Sequence, residues 1–175
     1  MWVFAYGSLM WRPDFPHVEA RRALLRGYHR ALCVYSVRYR GTPECPGLVL
    51  GLERGGSCLG RAFRVAAENA DAVTAYLDGR ELVTGVYAPK FLNVRLEGGQ
   101  RVSAYVFLAR RDHEQYAGRL AAERAAELVV TGHGPSGSGL DYLRNTIAHL
   151  DEMGIRDGPL HRILALAEAK ARKRP

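Results

Sequence analysis

Apolar residues fall in short unbroken or alternating runs over roughly the first 110 positions and at helical spacing after that. Trp2 to Tyr6 reads as a buried strand, interrupted by Gly7 and Ser8 before Leu9, Met10 and Trp11. "WRPDFPHVE" carries two prolines and predicts a loop. "ALLRGYHRALCVYSVRY" predicts two strands around Gly27, followed by a turn-rich loop, "RGTPECPG". "LVLGL" and "CLGRAFRV" predict strands joined by a hairpin-like "ERGGS". The period then changes. In "AENADAVTAYLDGRELV", Val73, Tyr76 and Leu77 recur at helical spacing, Asn69 or Asp71 can cap the start, and Gly79 weakens the end. "YAPKFLNVRL" and "RVSAYVFLA" predict paired strands around "EGGQ".

From His113 onward the pattern is helical: "EQYAGRLAAERAAELVV", a glycine-rich turn "TGHGPSGSG", "LDYLRNTIAHLDEM", a break at "GIRDGP", and "LHRILALAEAKA". Strands first and helices last, with one helix between, predict an α+β fold and not a repeated βαβ architecture.

Length and composition narrow the class. A chain of 175 residues, 47% hydrophobic and 25% charged, predicts a single globular domain over 1–175. No apolar run approaches bilayer length, and the apolar N-terminus lacks the basic region of a signal peptide, so a cytoplasmic protein without a membrane partner is expected. Cys33, Cys45 and Cys58 are odd in number and lack C-x-x-C spacing, against a disulfide framework or a zinc site. The formal net charge is +7, part of it in the tail "KARKRP" from Lys170 to Pro175. That tail reads as a solvated terminus, with nucleic-acid binding as the rival reading.

Several motifs are decoys. Gly132-x-Gly134-x-x-Gly137 matches a dinucleotide fingerprint as a string, but a helix is expected before it where the fingerprint needs a strand. It reads instead as a helix–helix turn, with Ser138 as N-cap and Asp141 three residues on. The six histidines show no metal-ligand clustering. Ser8, Ser36, Ser136 and Ser138 lack the G-x-S-x-G elbow of serine hydrolases. Cys33 lies in a strand pattern and reads as a buried thiol.

Four segments stand apart: the Gly7-Ser8 strand end after Tyr6, "RGT" at Arg40 to Thr42, "YLDGRE" ending in Glu81, and "GSGLDYL" presenting Tyr142. With "FAYGSLMW" at 4–11, "GYHRALCVYSVRYRGTPECPGLVLGL" at 27–52, "YLDGRELVTGVY" at 76–87 and "SGSGLDYLRNTIAHLDEMGIRDGPL" at 136–160, the chain resembles the ChaC-like γ-glutamylcyclotransferases, and "VTGVY" resembles their bacterial branch.

The resemblance implies a small, mostly antiparallel β-barrel flanked by helices, with a helical C-terminal third. It implies conversion of glutathione to 5-oxoproline and Cys-Gly, with no metal or organic cofactor. It makes Glu81 the catalytic carboxylate and Tyr6, Gly7, Ser8 and Leu9 the substrate loop, with Arg40, Thr42 and Tyr142 as further ligand contacts. Other γ-glutamyl amino acids or γ-glutamylamines are alternative substrates, and a non-catalytic γ-glutamyl-binding protein is the alternative of another class. Either a monomer or a homodimer fits.

The residues suit such chemistry. Glu81 falls near a predicted helix C-terminus with Leu82 and Val83 behind it, a setting that raises a carboxyl pKa through the helix dipole and desolvation. Arg80 precedes it, but helix neighbours point in different directions and need not pair. Gly7 lets backbone amides approach a ligand closely.

Overall fold

The computed structural model describes residues 1–173; Arg174 and Pro175, part of the basic-tail segment, lie outside the described residues. The elements in chain order are β1 (Trp2–Ala5), β2 (Glu19–Ser36), β3 (Gly47–Arg64), α1 (Ala70–Glu81), β4 (Tyr87–Leu96), β5 (Arg101–Ala109), α2 (Ala122–Thr131), β6 (His133–Gly134), β7 (Gly137–Ser138), α3 (Gly139–Glu152) and α4 (Gly158–Ala171). Single 3₁₀ turns lie at Ser8–Met10 and Ala67–Asn69. The five long strands close into a barrel of order β1-β3-β2-β4-β5. β1 runs antiparallel to β3 and parallel to β5; β2–β4 and β4–β5 are antiparallel. The fold is therefore α+β with a mostly antiparallel barrel.

The chain divides into two compact units: Met1–Arg30 with Gly51–His113, and Ala31–Leu50 with Glu114–Pro175. The core of the first unit includes Val3, Phe4, Leu25, Leu52, Phe63, Val94, Leu96, Ala104 and Val106 from the strands, and Val73 and Leu77 from α1. Val73 and Leu77 are the two positions at which the helical period places apolar side chains inward. Burying Leu77 fully stabilises by roughly 1.5–3 kcal/mol, and its truncation to alanine costs about 2–5 kcal/mol. The second unit buries Ala125, Ala126 and Val129 of α2, Leu143, Ile147 and Leu150 of α3, and Leu160 and Ala167 of α4.

The structure revises four sequence expectations. The two strands expected around Gly27 are one continuous strand, and so are the pair expected around "ERGGS". Gly27 at φ +84° and Gly55 and Gly56 at φ +99° and +68° absorb a local irregularity within the strands without turning the chain back. The helix expected from Glu114 starts eight residues later, at Ala122. The intervening residues pair with β2: Tyr35 N–H donates to the Gln115 carbonyl, Ala117 N–H to the Cys33 carbonyl, and Val34 bridges Tyr116. The helical spacing of that segment yields to the unpaired backbone of β2. Finally, the glycine-rich turn before α3 is a two-stranded hairpin, β6–β7.

The helix caps follow the sequence more closely. The Ser138 hydroxyl accepts the Asp141 N–H at 3.0 Å at the start of α3, and the Asp157 side chain accepts the Leu160 N–H at 3.3 Å at the start of α4. At α1, Asn69 occupies the N-cap position, but its side chain makes no capping bond. Lys170, the first residue of the basic tail, belongs to α4, with its ammonium 3.2 Å from Glu127 Oε1. No helix among the described residues is long and apolar enough to cross a membrane.

Candidate active site

In the first unit, the sequence "AYGSLM" leaves the barrel at the end of β1. Met10 N–H donates to the Gly7 carbonyl and Arg12 N–H to the Ser8 carbonyl, both at 2.9 Å, which winds residues 8–10 into a 3₁₀ turn. The leading N–H groups of such a turn have no partner within the turn itself.

Three arginines hold this turn. The buried Arg30 donates from Nε to the Tyr6 carbonyl at 2.5 Å and from Nη2 to the Leu59 carbonyl at 2.7 Å. Arg61 Nη1 donates to the Met10 carbonyl at 3.1 Å. Arg80 Nη2 donates to the Ser8 hydroxyl at 3.3 Å. Tyr6, before the turn, and Leu9 within it are buried, and Ser8 is half-buried.

Glu81 is the last residue of α1. Leu82 N–H closes the helix on the Asp78 carbonyl, and the orphan carbonyls of the last turn are a negative pole beside the carboxylate. The side chain is 21% exposed, and its Oε1 lies 3.3 Å from Arg80 Nε. Burial pushes the carboxyl above its ordinary value, against the opposing pull of the Arg80 guanidinium. Desolvation prevails because it acts on the whole carboxylate, whereas Arg80 is itself partly solvated, which screens its field. Adjacency on a helix left the pairing of Arg80 with Glu81 open; here the helix ends, and the long side chain folds back onto its neighbour.

The other expected contacts belong to the second unit. The Arg40 guanidinium stands 5.4 Å from the centre of the Tyr142 ring and donates to the Ser136 carbonyl; Arg40 N–H donates to the Ser36 hydroxyl at 2.9 Å. The Tyr142 hydroxyl accepts the Leu50 N–H at 3.3 Å. Thr42 closes its own turn, its N–H donating to the Cys45 carbonyl and its Oγ1 accepting the Cys45 N–H. All three residues therefore have local structural work in their unit.

The G-x-G-x-x-G string also has a local explanation. A Cβ at Gly132 would sit 2.3 Å from the Gly47 Cα, and one at Gly134 would sit 2.5 Å from the Tyr39 carbonyl oxygen. These glycines let the β6–β7 hairpin pack on the 39–47 loop. The sequence reading missed Arg30, Arg61 and Arg80 as supports of the Tyr6–Leu9 turn. Arg30 is one of several basic residues of β2, with Arg21, Arg22 and Arg26, so nothing in the sequence set it apart.

A family model described as "ChaC-like protein" matches residues 1–170. The chain belongs to the ChaC-like family. It is 35% identical to the glutathione-specific γ-glutamylcyclotransferase of Escherichia coli (strain K12), over 94% of this chain and 71% of that protein. It is 33% identical to glutathione-specific γ-glutamylcyclotransferase 1 of Mus musculus and of Homo sapiens, over 82% of this chain and 66% of each of those proteins. This chain thus spans about two thirds of the length of those mammalian relatives. A crystal structure of a γ-glutamyl cyclotransferase specific to glutathione from yeast shares the fold, with a TM-score of 0.90 at 24% identity, covering 99% of this chain and 97% of that one.

Proposed function

We infer that this chain is a γ-glutamylcyclotransferase acting on glutathione, with Glu81 as the proton carrier. The substrate contains both reacting groups. The α-amino nitrogen of the γ-glutamyl unit attacks the γ-carbonyl carbon, the bond to the cysteine nitrogen breaks, and 5-oxoproline and Cys-Gly separate. Holding one folded conformer makes such an intramolecular attack efficient, with effective molarities on the order of 10⁵ M or more.

A free α-amino group titrates near about 8, so at neutral pH it must first lose a proton. On attack the nitrogen must lose another, and the departing amide nitrogen must gain one. In this reading the Glu81 carboxylate takes the proton from the attacking nitrogen and returns it to the leaving nitrogen. A carboxyl whose pKa is raised towards neutrality is a better match to that exchange than an ordinary one. The developing oxyanion is assigned to the N–H groups that open the Gly7–Leu9 turn, where positioned donors need no reorganisation during the reaction. Tyr6, immediately before that turn, is proposed as a further part of the substrate loop. Arg40, Thr42 and Tyr142 are proposed as further ligand contacts on the strength of the family resemblance.

The observation that carries the reading is the carboxylate of Glu81, largely buried and raised, tied through Arg80 to the Ser8 hydroxyl of the turn. The relatives' activity supports glutathione as substrate, and a cytoplasmic site of action fits that substrate. The test is product analysis: the purified protein incubated with glutathione should yield equal amounts of 5-oxoproline and Cys-Gly. Release of neither product, with tight glutathione binding, would indicate a binding protein on the same scaffold. Faster turnover of γ-glutamyl-alanine than of glutathione would reassign the substrate.

A further inference from the structure

We propose that Arg80 is a positioning residue that sets the substrate turn and the proton carrier at a fixed spacing, through one guanidinium bound to both. This rests on the assignment of Glu81 as the proton carrier.

The guanidinium meets five acceptors. Nη2 donates to Ser8 Oγ at 3.3 Å, and Nε faces Glu81 Oε1 at 3.3 Å. Nη1 lies 3.0 Å from the Arg12 carbonyl, 2.9 Å from the Tyr76 hydroxyl and 3.3 Å from Asp14 Oδ2. Those partners come from three places: the turn after β1, the loop that continues it, and α1 itself. Only a planar fork with five donors addresses all of them together; a lysine offers a single point charge on a flexible stem.

A second, independent feature points the same way. Asp14 has φ +53°, the only positive φ at a non-glycine position among the described residues. A side-chain-bearing residue adopts that region at a cost, and the surroundings must hold it there. Arg80 holds it through the Asp14 carboxylate itself and through the Arg12 carbonyl two residues before it. The 8–14 segment is thus fastened to the end of α1, where Glu81 sits. An ordinary exposed ion pair would do none of this, since such pairs contribute little and tolerate many geometries. Arg80 and Glu81 are only 25% and 21% exposed.

The guanidinium also tunes its neighbour, because a positive charge beside Glu81 favours the ionised carboxylate. The other titratable side chains set against this cluster are Asp14 from the loop after β1 and Tyr76 one turn back on α1. His113 lies past the end of β5, against Gly85. Positioning and charge are therefore separable by substitution.

The experiment measures kcat, KM, the pH profile of kcat/KM and Tm for the wild type, Arg80→Met and Arg80→Lys with glutathione. Arg80→Met should lower kcat/KM by about 10²-fold, the scale of a small misplacement of reacting groups. It should raise KM and move the acid limb of the profile to higher pH. Arg80→Lys should return that limb towards the wild-type position while leaving KM raised, because it restores the charge and not the fork. If both variants keep wild-type KM and an unmoved acid limb, with activity falling only as the folded fraction falls, Arg80 is structural and the proposal fails. Complete rescue by lysine also overturns it, since charge alone then suffices. If Arg80→Met does not fold, the KM of Arg80→Lys decides. Glu81→Gln is measured alongside: near-normal activity there would defeat the proton-carrier reading itself, a failure distinct from that of Arg80.

Discussion

Glu81 at the end of α1 and Glu127 on α2 both face basic side chains, yet their carboxyls move in opposite directions. Glu127 lies at the surface, with Arg124 Nη1 and Lys170 Nζ each 3.2 Å from one of its oxygens, and these two partners hold its carboxyl below the ordinary value. Glu81 has an arginine at a similar distance, and its carboxyl is raised because burial outweighs the pair. Proximity of a cation therefore does not by itself fix the protonation of a carboxylate. The water withdrawn from it decides, and helix ends tucked against a barrel withdraw water where open helix faces do not. This is how one residue type supplies a solvated helix-face pair in one unit and a largely buried, raised carboxyl in the other.

The largest effect that can break this contrast is on turnover. Glu81→Gln keeps the shape and removes the titrating group, so kcat should fall by at least about 10²–10⁴-fold. Glu127→Gln should leave kcat unchanged. A comparable loss in both would mean that Glu81 has no special chemistry, and steady-state rates on the two variants decide the matter.

Next in size is the turn that Arg80 ties to the carboxylate. Gly7→Val should crowd the amides proposed for the oxyanion and cost about 10²-fold in kcat, the scale of losing one such donor. Thermal denaturation should show a much smaller change. If the loss of activity merely follows the loss of folded protein, Gly7 serves turn geometry alone.

The smallest effect sharpens the contrast through stability. The Glu81 carboxyl is raised above its ordinary value of 4.5, so its contribution to stability is complete below that pH and is lost as pH rises through the higher folded value. Glu81→Gln should therefore gain stability relative to the wild type as pH rises from 4.5. Glu127 is lowered from 4.5, so its contribution is present above that pH and is lost as pH falls through the lower folded value. Glu127→Gln should show its deficit at neutral pH and lose it on acidification. Denaturant midpoints of the three proteins across pH 3–8 would read both slopes; slopes of the same sign would contradict the opposite shifts.

How much of this was legible in the sequence depended on how local the determinants were. β4 and β5 were read to the residue because alternating runs flanked a short "EGGQ" turn. The Ser138 cap was visible because its partner, Asp141, is three residues away. The long strands β2 and β3 were each cut in two, since a glycine reads as a turn when the neighbouring strand that carries the chain through it is unseen. Residues 114–121 read as helix because their pairing with β2 joins positions about 80 apart in the chain.

The candidate site divided in the same way. Glu81 and the Tyr6–Leu9 turn were singled out through motif resemblance; of the two apolar residues expected to desolvate Glu81, Val83 is instead 43% exposed and Leu82 only half-buried. Whether Arg80 pairs with Glu81 stayed open in the sequence, because helix geometry separates neighbours, a rule that lapses where the helix ends. The links from Arg80 to Ser8, Arg12 and Asp14 span about 70 residues of sequence and have no local signature.

The central claim is that a buried, raised carboxylate at position 81 moves the proton in γ-glutamyl cyclisation. Its most direct test is a single-turnover assay, with enzyme in excess over glutathione, comparing wild type and Glu81→Gln at saturating enzyme and following 5-oxoproline with time. The account predicts rapid product formation by the wild type, with an acid limb above the ordinary carboxylate value, and a variant that binds glutathione with near-normal affinity while forming product orders of magnitude more slowly. A Glu81→Gln protein that forms 5-oxoproline at the wild-type rate would contradict it.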